Sequence, residues 1–203
     1  MKLELKKFKK WAVLLLLIPF ISIIIVIVFR HSYFPTNDEI IEEVKSAENY
    51  TSKVEYKIKN SRGEYKENTT IYYSKEQGMR IEFEENRVKL YNNGSININD
   101  NGYEYELKGD FDQVYPLAFI DTLLLNKIQY MKEASEEWGE GQYIEISIEL
   151  PFKNNHMTSA KLYISKKDKV PIVAKIYDIN QEERVTIIYK DFEYLKKYNE
   201  DLF

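Results

Sequence analysis

Cysteine is absent from the 203 residues, and histidine occurs only twice. Without cysteine there is no disulfide, no thiolate nucleophile and no cysteine-rich zinc site, so packing alone must hold the fold. His31 and His156 stand apart and neither sits in an H-E-x-x-H motif; no G-x-S-x-G occurs. Zinc hydrolysis and nucleophile-elbow chemistry therefore lack their parts. Glycine is also scarce, with 7 copies, and Gly139-Glu140-Gly141 does not continue into a dinucleotide-binding fingerprint. Asp110 with Asp112 and Glu136 with Glu137 are pairs of the kind glycosidases use, but acid-rich loops commonly carry such pairs for solubility. No catalytic residue, cofactor or metal is expected.

Long apolar runs are missing everywhere except at one place. "WAVLLLLIPFISIIIVIVFR" holds 19 uncharged residues from Trp11 to Phe29, which as a helix covers about 28 Å, close to the hydrocarbon thickness of a bilayer. Signal-peptide cores are shorter, and Val26-Ile27-Val28-Phe29-Arg30-His31 offers no small-residue cleavage site. A lipid-modified cysteine is excluded by composition. The run is therefore expected to remain as a membrane anchor, with Trp11, Leu14, Leu17, Ile24, Val28 and Phe29 among its lipid-facing residues. Lys2, Lys6, Lys7, Lys9 and Lys10 precede it, so the positive-inside rule puts the N-terminus in the cytoplasm and everything after Phe29 outside. A single-pass topology follows: residues 1–10 a basic cytoplasmic segment, 11–29 the anchor, 30–35 a linker and 36–203 one extracytoplasmic domain.

Charge divides along the same line. Residues 1–31 carry a net +5, so the remainder carries −9 of the total −4. An acidic domain argues against nucleic acid and suits a partner with a basic patch.

Periodicity supplies the elements. Thr36 and Glu39 have the spacing of a capping box, and Ile40, Ile41, Val44 and Ala47 make one apolar stripe, so a one-faced helix is predicted there. From Tyr50 the period changes to two: Val54, Tyr56 and Ile58 alternate with lysines and glutamate, as do Met79, Ile81 and Phe83 with Arg80, Glu82 and Glu84. Asn93-Gly94 and Asn101-Gly102 are hairpin signals, giving an antiparallel meander. Four more strands are expected at Tyr143–Leu150, Ala160–Ile164, Ile172–Tyr177 and Val185–Tyr189. The 17 tyrosines, all beyond the apolar run, fit sheet propensity. Between the strand groups, "YPLAFIDTLLLNKIQYMKEA" opens with Pro116. Leu117, Ala118, Phe119, Ile120, Leu123, Leu124 and Leu125 leave almost no polar face, so a helix buried all round is expected. A strongly curved sheet would enclose it. The predicted class is α+β, mainly β: the transmembrane helix, then an incomplete antiparallel β-barrel with helices in its concave face.

The order helix, strands, buried helix, strands resembles the LolA-like family, an incomplete β-barrel with helices as a lid. "KLYISKKDKVPIVAKIYDINQEERVTIIYKDFEYLKKYNEDLF" sharpens the likeness: Pro171 opens a strand, Asp178 stands at a hairpin, Asp191-Phe192-Glu193 lies in the next strand and Leu202-Phe203 closes the chain. Where the family's hairpin usually has glycine, this sequence has Asn180, Gln181 and Glu182. Within that family the Lys-, Asn-, Ile- and Tyr-rich composition resembles the clostridial GerS type, whose members are tethered lipoproteins that bind the CwlD-type cell-wall amidase during spore cortex modification. The resemblance implies a non-catalytic adaptor for such an amidase, placed on the forespore outer membrane and needed for germination, and leaves a homo-oligomer open. The alternative it implies is a carrier of lipid or lipoprotein, with Leu117, Phe119, Leu123 and Leu124 lining the cavity.

Overall fold

The computed structural model describes residues 17–29, 35–92, 94–109, 112–134, 142–197 and 202–203. The chain divides into two units, Met1–Ile40 and Ile41–Phe203.

In the first unit, residues 17–29 form helix α1, and its side chains are exposed. At 1.5 Å per residue these 13 described residues cover about 20 Å, against the roughly 30 Å of a hydrocarbon core. Among the described residues no helix is long and apolar enough to cross a membrane. The expected single-pass topology, with its cytoplasmic N-terminus and membrane localisation, is corrected accordingly. The other part of the expected span, including Trp11 and Leu14, lies outside the described residues, as do 30–34 of the linker.

Helix α2, Asn37–Lys45, begins as the sequence predicts. Thr36 N–H donates to Glu39 Oε2 at 2.8 Å, and Glu39 N–H donates to Thr36 Oγ1 at 3.3 Å, the reciprocal pattern of a capping box. Ile40, Ile41 and Val44 are buried, while Asp38, Glu42 and Glu43 are exposed.

The second unit contains one antiparallel sheet. In chain order its strands are β1 Asn49–Asn60, β2 Gly63–Ser74, β3 Gly78–Phe83, β4 Arg87–Asn92, β5 Ser95–Asp100, β6 Tyr103–Lys108, β7 Lys127–Ala134, β8 Tyr143–Glu149, β9 Ser159–Ser165, β10 Pro171–Tyr177 and β11 Glu183–Tyr194. In space the order is β6-β5-β4-β3-β2-β1-β11-β10-β9-β8-β7. Two meanders thus meet where the first strand pairs with the last, from Tyr50 opposite Tyr194 to Ile58 opposite Val185. The predicted hairpins form, with Gly94 at φ 80°, Asn101 at 52° and Gly102 at 89°, the positive values tight turns require.

Two expectations are corrected. The sheet is open rather than strongly curved into an incomplete barrel, because β6 and β7 stand at opposite edges and do not pair. Joining the two meanders through β1 and β11 places the chain's middle, not its ends, at the edges. The architecture is mostly β with few helices, not α+β with helices in a concavity. The expected long helix is instead a 3-10 turn, Tyr115–Ala118, and a short α3, Ile120–Leu124, separated by Phe119 in an extended conformation at φ −83°, ψ 126°. After Leu125 the chain enters β7, where Ile128 and its neighbours pair with β8. A five-residue helix needs no barrel to bury it. Leu117, Ala118, Phe119, Ile120, Leu123 and Leu124 are nonetheless buried, whereas Leu125 is 85% exposed.

Candidate functional site

Residues 112–126 form a strap across one face of the sheet. That face carries Tyr50, Val54 and Tyr56 of β1, Ile71 of β2 and Ile81 and Phe83 of β3, all buried. The strap is pinned by tyrosine hydroxyls at two points. Tyr56 Oη donates to Tyr115 C=O at 3.0 Å, and Ile120 N–H donates to Tyr50 Oη at 3.0 Å. Tyr50 also faces Asp121, whose pKa burial raises.

At the start of the strap the pinning is ionic. Asp112 accepts from Lys89 Nζ at 2.5 Å and Tyr91 Oη at 2.6 Å, and its other oxygen accepts from Tyr115 N–H at 3.3 Å. Glu67 accepts from both Arg87 and the Tyr115 hydroxyl. The Arg87 guanidinium lies 4.0 Å from the centre of the Phe83 ring, and Lys89 Nζ lies 4.4 Å from that of Tyr115. Burial pushes the Tyr91 and Tyr115 phenols well above their ordinary range, followed by the charge of Asp112 for Tyr91 and the hydrogen bond to Glu67 for Tyr115.

Sequence reasoning missed this cluster because β4 inverts its apparent pattern. In "RVKLYN" a simple alternation would turn Val88 and Leu90 to the core. The structure turns Arg87, Lys89 and Tyr91 to the strap, and Val88 and Leu90 line a groove of about 560 Å³ with Asn97, Asn99, Glu104 and Glu106. The legible signal was Tyr91 in the same phase as Arg87 and Lys89. Beside the strap is a cleft of about 390 Å³, lined by Met79, Tyr91, Pro116, Thr122 and Phe152 among others. On the other meander, Glu145 is buried under Tyr163, whose Oη donates at 2.9 Å, and Tyr130, at 3.1 Å, with Lys132 Nζ 3.2 Å away. Burial alone would raise Glu145; the Tyr163 hydroxyl and Lys132, with Lys161 and Tyr130, outweigh it and lower the pKa.

Of the residues named from sequence, Leu117, Phe119, Leu123 and Leu124 belong to the strap itself and are between 0% and 4% exposed. Leu17, Ile24, Val28 and Phe29 lie on α1, each about half exposed. Asp112 is bound into the ionic cluster; Asp110, Glu136, Glu137, His31 and the Gly139–Gly141 loop lie outside the described residues. His156 is exposed. Among the described residues no group of three or more His, Asp or Glu side chains is placed to hold a metal ion.

The free edges of the sheet complete the geometry. β6 is exposed along its whole length, and Tyr103, Tyr105 and Leu107 project in a row at 78%, 47% and 39% exposure. An open, strap-braced antiparallel sheet of this kind defines a mostly β domain by its fold. Residues 9–203 match the model of the sporulation protein YdcC-like family, and the chain belongs to that family. No curated protein matches it. Among solved structures it is similar to an uncharacterized conserved protein from Thermus thermophilus, at 13% identity and a TM-score of 0.50, covering 81% of this chain and 95% of the other. That likeness shows a shared fold. Weaker likenesses include a LolA superfamily protein from Nitrosomonas europaea, at 9% identity and 0.46, covering 83% and 97%. Another is a chain from the structure of the Clostridioides difficile CwlD amidase in complex with the GerS lipoprotein, at 20% identity and 0.47, covering 79% and 96%. The LolA-like resemblance and its GerS type are both represented among the structural neighbours.

Proposed function

We propose that this protein is a non-catalytic adaptor that docks a cell-wall amidase and raises its activity during spore cortex modification. Membership of a sporulation family over residues 9–203 carries the reading. The exposed β6 edge supports it, because an unpaired strand offers a partner a ready row of backbone donors and acceptors. The acidic charge of the chain beyond residue 31 fits a basic partner.

Lipid or lipoprotein carriage is the second reading, favoured by the cleft beside the strap and its lining of Met79, Pro116 and Phe152. The deciding experiment measures turnover of a CwlD-type amidase on peptidoglycan with and without the purified chain, with organic extraction of the same preparation. Raised turnover with no bound lipid is expected. Stoichiometric acyl chains together with unchanged amidase turnover would replace the adaptor by the carrier.

A further inference from the structure

The two edges of the sheet are not alike. β7 is guarded in the ways that keep strands from pairing: its register against β8 shifts between Ile128 and Tyr130, and it carries Lys127 and Lys132. β6 lacks the register shift and carries no lysine before its last residue. It runs in unbroken register against β5, from Tyr103 opposite Asp100 to Lys108 opposite Ser95, with no proline and its single lysine at the end.

Ladder geometry fixes which groups of β6 are free. Bonded and non-bonded pairs alternate in an antiparallel pair, and Gly109 N–H donates to Gly94 C=O at 2.9 Å, which sets the phase. The backbone N–H and C=O of Glu104, Glu106 and Lys108 therefore point away from β5, outward from the sheet. Side chains alternate across the same strand, with Tyr103, Tyr105 and Leu107 on one face and Glu104 and Glu106 on the other. Glu104 accepts one bond, from Asn99 Nδ2 at 3.3 Å. Among the described residues no cation pairs with either carboxylate.

From this we infer that β6 accepts an added antiparallel strand from a basic partner, an extended segment in which lysine or arginine alternates with apolar residues. The inference rests on the adaptor reading and names the surface and the chemistry of its partner. Apolar residues of the incoming strand would meet the Tyr103, Tyr105 and Leu107 row, and its cations would face Glu104 and Glu106. A second copy of this chain fits poorly. Any two-fold pairing centred on residues 104 to 106 that keeps the tyrosines on one face sets glutamate against glutamate, which is destabilising.

The test is backbone hydrogen exchange of the full chain with a peptide alternating lysine and valine, and with a block peptide of the same composition. Exchange at Glu104, Glu106 and Lys108 is expected to slow about tenfold with the alternating peptide alone. Glu106→Pro should abolish that protection with an unchanged melting temperature, since the lost N–H faces outward, and the charge-reversed pair Glu104→Lys and Glu106→Lys should do the same. Equal protection by the block peptide would reduce the effect to bulk charge and overturn the inference. So would protection that appears with rising protein concentration and no peptide, which would identify a second copy, or no protection at all. The amidase assay separates this inference from the reading beneath it. Activation by the wild-type chain but equally by Glu106→Pro would overturn the edge as the dock while leaving the adaptor. Peptide protection at β6 with no activation by either would uphold the edge and remove the amidase.

Discussion

Two ion pairs with short contacts show how burial decides what a charge is worth. Lys89 and Asp112 meet at 2.5 Å with side chains 13% and 10% exposed; Lys53 and Asp191 meet at 2.9 Å with both 68% exposed. Removing one member of a largely buried pair strands the other and the groups bonded to it, so Asp112→Ala should lower unfolding free energy by about 3 kcal/mol in urea titration. Lys53→Ala should leave the same curve where it was, because an exposed pair is screened and its long side chain is held at an entropic cost. Glu145 gives a pH dependence of definite sign. Its pKa is lowered in the folded state, so it contributes stability above its unfolded pKa and loses it as pH falls through the folded value. Glu145→Gln is expected to be less stable than wild type by about 1 kcal/mol at neutral pH. The gap should close in acid, as followed by thermal melts across the acidic range.

Among elements, the strap and the hairpin after β10 respond to substitution in opposite ways. Leu124 is 4% exposed and its neighbour Leu125 is 85% exposed. A carboxylate at Leu124 would be buried without a partner, so Leu124→Asp should abolish cooperative unfolding by circular dichroism, while Leu125→Asp melts as the wild type does. At the hairpin, Asp178 braces the turn with both carboxylate oxygens. Its Oδ1 accepts from Asn180 N–H at 2.8 Å and Glu182 N–H at 2.9 Å, and its Oδ2 accepts from Arg184 Nε at 2.8 Å. These bonds hold Gln181 at φ 62°, a left-handed conformation that costs a side-chain-bearing residue about 1 kcal/mol. Gln181→Gly should therefore raise stability by roughly 0.5–1 kcal/mol in chemical unfolding, one of the few positions where glycine is the stabilising choice.

For the sheet of Ile41–Phe203, pairing of β1 with β11 makes its centre depend on contacts between residues far apart in sequence. Long-range antiparallel pairing closes large loops before it is rewarded, so protection should be highest where both neighbours are paired and both faces packed. Native-state hydrogen exchange is expected to be slowest at Val54, Tyr56 and Ile187 and to quicken outward to the edges. Exchange at Glu104 and Glu106, whose N–H groups face away from β5, as slow as at Tyr56 would mean that β6 is covered in solution.

Asn93-Gly94, Asn101-Gly102 and the Thr36–Glu39 capping box were decided by the sequence alone, because turn and cap chemistry depends on residues a few positions apart and is satisfied locally. The strands with strict alternation, such as Val54-Tyr56-Ile58 and Met79-Ile81-Phe83, were legible for the same reason: their own neighbours report which face is apolar. β4 was not legible. Val88 and Leu90 face away from the strap because Asp112 and Glu67, distant in sequence, draw Lys89 and Arg87 inward. The strap itself had the composition of a helix, yet Phe119 is extended and β7 begins soon after Leu125, since pairing with β8 outweighs helix propensity in a segment this short. Only tertiary structure decided that the sheet is open. Closure depends on where the first and last strands meet, and their meeting in the middle leaves β6 and β7 as edges, a matter of long-range pairing that no local pattern encodes.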